Sequence, residues 1–146
     1  MEINGLPAHV LLVHLVVVLL PLTAVAAIVV SAWPAAQRKL TFLVPLGAVV
    51  GALAVPVTTR AGHDLATRLG NPPFIDKHVG FGGMVLPWAA ALAVTTVAQW
   101  LYLRRDAATT GLRLVLSVLV VVSAIGTATI VALTGDSGAR AVWGNR

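Results

Sequence analysis

The chain has 146 residues, of which 58% are hydrophobic and only 10% charged, with a formal charge of +5 and no cysteine. A water-soluble domain of this size carries about 25% charged residues, so this composition excludes one and implies contact with a lipid bilayer. It also excludes a disulfide framework and thiol redox chemistry. The basic residues lie in short turns, without the basic stripe or aromatic platform that a nucleic-acid partner requires.

In chain order, Met1-Glu2-Ile3-Asn4-Gly5 lacks the basic n-region of a cleaved leader. The first apolar run, 9–33, is therefore predicted as a retained span, opening after Pro7, a favoured helix-start residue. It is long enough to cross a hydrocarbon core of about 30 Å, which takes about 20 helical residues. A short link, Pro34 to Arg38, leads to a second span predicted at 39–59. Here Gly47 and Gly51 form a Gly-x-x-x-Gly pair of the kind that lets helix backbones approach closely. Residues 60–76 are predicted as a loop on the outer side. Its Ala61 to Gly70 stretch has the composition of a short interfacial helix, broken by Asn71-Pro72-Pro73.

The third span is predicted at 77–103 and, after a tight turn at Arg104 to Thr109, the fourth at 110–134. Ala124 and Ala128 repeat the small-residue spacing, and Gly135 supplies a left-handed helix stop. Arg140 is placed to answer the negative end of that helix and to pair with Asp136. Pro21, Pro45, Pro56 and Pro87 fall within spans, where each should kink its helix. No internal repeat is evident.

Backbone groups in lipid must be satisfied internally, so these runs are helices. Two tight turns then make an all-α integral membrane four-helix bundle, up-down-up-down, in a single domain over 1–146. Arg38, Lys39, Arg104, Arg105 and Arg113 lie on the tight-turn side, and Arg60, Arg68, Lys77, Arg140 and Arg146, equal in number, lie on the other. The denser packing of charge in the two short turns leads us to expect that side to be cytoplasmic, with both termini outside. Trp33, Trp100 and Tyr102 at the tight-turn end and Trp143 at the other fit interfacial belts.

Antiparallel threading gathers the histidines. His9 and His14 open helix one, His63 follows helix two, His78 opens helix three and Asp136 follows helix four, all at one rim. His14 lies about 7–8 Å deeper than His9, where an ionisable group needs an inward partner, and the two are about 140° apart around the helix. His14 is thus expected to face the interior, with His78, Asp136 and Asp76 as partners. Several functions fit. The cluster is a polar lock between helix ends, or a divalent metal site of imidazoles and a carboxylate. A haem b between His14 and His78, or between either and Met84, is another, and proton or ion handling a fourth. Gly135-Asp136-Ser137-Gly138 matches the serine-protease motif in letters but lacks the β-barrel that makes the motif work.

Three patches carry a family resemblance: Ile3-Asn4-Gly5-Leu6-Pro7-Ala8-His9 with Leu12-Val13-His14, then Asp76-Lys77-His78-Val79-Gly80, and the tail Gly135-Asp136-Ser137-Gly138-Ala139-Arg140-Ala141-Val142-Trp143. Together they resemble the bacterial predicted-membrane-protein family known as domain of unknown function 2231, the tail suggesting its actinobacterial branch. The resemblance implies a four-helix protein of the bacterial inner membrane and no particular reaction. The expected role is a non-enzymatic bundle or accessory subunit. Gly47, Gly51 and the apolar face of helix four would be its contact surfaces for a second copy or a membrane-complex partner. A metal- or haem-binding redox module using His14 and His78 is the alternative.

Overall fold

In the computed structural model the described residues are 2–3, 6–40, 42–105 and 109–144. A two-residue ladder pairs β1 (Glu2–Ile3) with β2 (Leu6–Pro7), and the regular elements that follow it among the described residues are helices. The helices are α1 (Ala8–Ala32), α2 (Pro34–Leu40), α3 (Leu43–Arg68), α4 (Asp76–Leu103) and α5 (Thr110–Trp143), with a 3-10 turn at Pro73–Ile75. Among the described residues four segments are long and apolar enough to cross a membrane: Leu11–Ala32, Leu43–Arg68, Pro73–Leu103 and Thr110–Ala141. The chain is an all-α four-span bundle, as its composition requires.

Four local expectations are corrected. The Pro34 link is not a bare turn but the helix α2, with proline at its first position, where a missing N–H costs nothing. Helix two begins at Leu43 rather than Lys39, so Pro45 lies in its first turn and is tolerated there. The same helix passes through Arg60 without a break and stops at Arg68. Its stop is a Schellman turn: Gly70 (φ 77°) and Asn71 (φ 50°) are left-handed. The Asn71 and Gly70 N–H groups donate to the carbonyls of Ala66 (2.9 Å) and Thr67 (3.1 Å). Finally, Gly135 does not stop the last helix, which runs on to Trp143. A glycine inside a helix costs only about 1 kcal/mol relative to alanine, too little to end one that neighbours support.

The bundle is a ring in which α1 packs on α3 and α5, and α4 packs on the same two helices. Small residues hold the centre. Ala24, Ala27, Ala48, Ala93 and Ala124 cluster toward the tight-turn end, and Val16, Leu20, Val55, Val85, Ala89 and Val131 toward the other. Lipid removes the hydrophobic drive between helices, so close packing of small side chains carries the association. Gly47 and Gly51 serve this interior. A Cβ at Gly47 would lie 2.7 Å from Thr23 Oγ1, and one at Gly51 would overlap Leu20. The expected oligomer face is therefore already occupied by α1. Trp88 is similarly pressed against Gly126 across the α4–α5 seam.

A repeat that the sequence conceals becomes visible in the burial pattern. Buried Val16, Leu20, Thr23, Ala24, Ala27 and Val30 of α1 recur at one constant offset as buried Val85, Ala89, Leu92, Ala93, Thr96 and Gln99 of α4. Buried Val44, Ala48, Gly51, Val55 and Thr58 of α3 recur likewise as Val120, Ala124, Thr127, Val131 and Thr134 of α5. The bundle is two hairpins of one plan, α1–α3 and α4–α5. Residue identities differ between them while the spacing of inward positions agrees, as expected where lipid-facing positions need only be apolar and helix packing fixes the inward ones.

Candidate functional site

The two halves meet at the histidine rim. His9 opens α1 and its Nδ1 lies 3.1 Å from the Thr58 carbonyl of α3. His78 occupies the matching place in the other half, with Nδ1 2.9 Å from the Thr134 carbonyl of α5. A carbonyl can only accept, so each Nδ1 carries the proton and donates. When the rings are neutral this leaves both Nε2 atoms as the unprotonated nitrogens, with no hydrogen-bond partner among the described residues.

The half-sites share their details. The hydroxyls of Thr58 and Thr134 are turned back onto the carbonyls of Ala54 (2.9 Å) and Ile130 (2.7 Å), so they do not compete for the rings. One helical turn beyond each threonine is a glycine against which the ring lies. A Cβ at Gly62 would be 2.9 Å from His9 Cε1, and one at Gly138 would be 3.0 Å from His78 Nδ1. Across the bundle the two ring centres are 6.2 Å apart with planes at 81°.

Beside the pair is a cavity of about 190 Å³, walled by apolar side chains that include Val13, Val17, Val55, Leu65, Leu69, Ile75 and Val79. His9 precedes the apolar span Leu11–Ala32 and titrates below the ordinary histidine value of 6.5. Burial is the main cause, offset in part by the bond to Thr58, and repulsion from His78 adds to the lowering.

The residues singled out in the sequence divide around this geometry. His9, His63 and His78 line the cavity, His63 at its exposed edge. His14 is exposed on the outer face of α1 and does not line it. The 140° separation foreseen between the two histidines holds, but the inward one is His9. Asp136 lies on the outside of α5 and pairs with Arg140 at 2.8 Å, as foreseen, both of them exposed. Asp76 is exposed in the first turn of α4, and Met84 is half exposed, away from the cavity. Among the described residues no three of His, Cys, Asp and Glu come together as a metal cluster.

Thr58, Thr134, Gly62 and Gly138 are not among the site residues expected from the sequence. Their signal is a faint repeat, Val57-Thr58-x-x-Ala61-Gly62 against Leu133-Thr134-x-x-Ser137-Gly138, each preceded a helix earlier by His-Val at His9 and His78.

Fold and site together define a four-span α-helical membrane protein built of two like hairpins with paired histidines at one rim. A family model described as "Predicted membrane protein (DUF2231)" matches residues 5–146, and the chain belongs to that family. No curated protein and no solved structure matches the chain.

Proposed function

We propose that this protein is a non-enzymatic membrane module that holds one late first-row transition-metal ion, copper or zinc, between Nε2 of His9 and Nε2 of His78. It would serve as an accessory unit in the bacterial inner membrane, with this rim and both termini on the outer side. The observation that carries the proposal is the matched anchoring of the two rings. Each Nδ1 is tied to a main-chain carbonyl, and the ring centres are 6.2 Å apart. Metal–imidazole bonds of about 2.0–2.1 Å on each side of one ion are compatible with rings about 6 Å apart. Imidazole pairs suit copper and zinc, and water or a neighbouring protein would complete the coordination.

His14 and Asp136, the partners first expected for His78, give way to His9 in this proposal because they lie outside the cavity. A haem b fits less well. Cofactor sites enclose about 300–1,000 Å³, and the space at these rings is about 190 Å³. The bonds to Thr58 and Thr134 also favour a polar lock, but one that ties each hairpin internally rather than all four helix ends together.

Titration of the detergent-solubilised chain with copper and zinc, followed by elemental analysis after desalting, tests the proposal. One equivalent should be retained by the wild type and by His14→Ala, and lost from His9→Ala and His78→Ala. Retention by the last two variants would overturn it, as would loss from His14→Ala alone.

A further inference from the structure

The two halves agree at the histidine rim and part company at the tight-turn end. Where α1 buries Val30, α4 buries Gln99 at the matching position, 5% exposed. The connection from α1 to α3 contains α2, whereas residues 104–109 join α4 to α5. Between α2 and the end of α4 this difference leaves a cleft of about 520 Å³, a volume in the usual range for ligand sites.

The cleft is layered. At its floor the Gln99 amide donates to Ser31 Oγ (3.2 Å) and Ser117 Oγ (3.1 Å), tying α1, α4 and α5 together. Both amide protons are thereby used, so Gln99 fixes the floor instead of meeting a ligand. Phe42, half exposed, forms an apolar wall. Gln37 and Arg38 of α2 and Arg104 after α4 line the mouth. Arg104 sits over the Trp100 ring, 4.8 Å from its centre, which holds the guanidinium at the cleft. Among the described residues neither Arg38 nor Arg104 makes an ion pair.

We propose that this cleft binds the phosphate headgroup of an anionic phospholipid. Phe42, with the exposed apolar side chain of Leu43 beside it, would receive the upper acyl chain, and the two guanidinium groups, which lie just beyond the spans ending at Ala32 and Leu103, would receive the phosphate. Arginine suits this task through its planar fork of donors, which matches phosphate oxygens. Basic pockets between membrane helices hold anionic headgroups by this combination. The site is at the opposite end of the bundle from the histidine pair and does not depend on it.

The test uses the full chain in nanodiscs of equal phosphatidylglycerol and phosphatidylcholine, released into the gas phase for native mass spectrometry. The wild type should retain phosphatidylglycerol in preference to phosphatidylcholine. Arg38→Gln with Arg104→Gln should lower that retention about tenfold or more, and lysine at both positions should restore part of it. Arg60→Gln with Lys77→Gln, at the far rim, should leave it unchanged. Circular dichroism of each variant checks folding, and the wild type's own salt dependence gives a measurement free of mutation: retention should fall as ionic strength rises. Equal retention of the two lipids would overturn the proposal. So would retention insensitive to salt, or equal losses from the two charge pairs. If inorganic phosphate at millimolar concentration displaced the lipid and raised the melting temperature as far as short-chain phosphatidylglycerol did, the ligand would be free phosphate and the lipid assignment wrong.

Discussion

His78 Nδ1 lies 2.9 Å from the main-chain carbonyl of Thr134, a bond that joins the start of α4 to the far end of α5. His9 makes the corresponding bond to Thr58 in the other hairpin. Each histidine therefore fastens its own hairpin, and the two hairpins bring the fastened rings together. Substitution at either histidine should loosen one hairpin by about 1 kcal/mol, the usual net worth of such a bond. His9→Leu and His78→Leu should each lower the melting temperature more than His14→Leu does, since His14 is exposed on the outer face. A larger loss from His14→Leu in a thermal melt would contradict the assignment of the inward ring.

Glycine substitutions separate helix propensity from site packing. Gly135 is inside α5, and a methyl group there would meet no atom of a neighbouring element within 4 Å. Gly135→Ala should therefore stabilise the helix by up to about 1 kcal/mol. Three residues on, Gly138→Ala places a methyl group 3.0 Å from the His78 ring and must displace it. We expect a net loss of about 1–3 kcal/mol there, together with weaker metal retention. Thermal melts of the two variants side by side check the contrast. Loss of stability from Gly135→Ala would restore that glycine as a helix stop.

Acid should weaken the folded state. His9 binds its proton less readily when folded than its ordinary 6.5, so the unfolded chain takes up more protons in the interval between the two values. Stability is then full above about pH 6.5 and declines as the pH falls through that value toward the folded one. Melting temperatures between about pH 7.5 and pH 5 should show this decline in the wild type and a smaller one in His9→Gln. Identical profiles would rule out His9 as the source.

At the other end of the bundle, Gln99→Leu removes the amide that bridges Ser31 and Ser117. Each lost bond is worth about 1 kcal/mol, and the two hydroxyls lose their shared partner. Leucine, however, recovers apolar packing. Gln99→Ala, which adds a cavity to the lost bonds, should therefore cost more than Gln99→Leu, by about 1–2 kcal/mol. Equal melting temperatures for the two variants would show that the amide contributes little there.

The exposed ion pair Asp136–Arg140 gives the opposite expectation. Its side chains are 57% and 77% exposed, and surface pairs of this kind contribute little. Asp136→Asn should leave both the melting temperature and metal retention unchanged within error. A loss of metal in that variant would bring the carboxylate back into the site.

The membrane class and the four spans were settled by sequence, because the length and apolarity of a run are local properties and lipid forces such a run to be helical. The common rim of His9, His63 and His78 followed as well, since antiparallel neighbours carry alternate helix ends to the same side. The pairing of Asp136 with Arg140 was equally legible, being one helical turn apart.

Which histidine faces inward was decided by the fold alone. His9 and His14 differ by a rotation that follows from their spacing, but the choice between them rests on the carbonyl and the glycine that α3 presents to α1. The same holds for Gly47 and Gly51, whose spacing permits close approach to any helix and whose actual partner is α1 of the same chain. The duplicated hairpin was hidden for a related reason. Its record lies in which positions are buried, and burial is a property of packed helices that residue identities in an apolar chain scarcely encode.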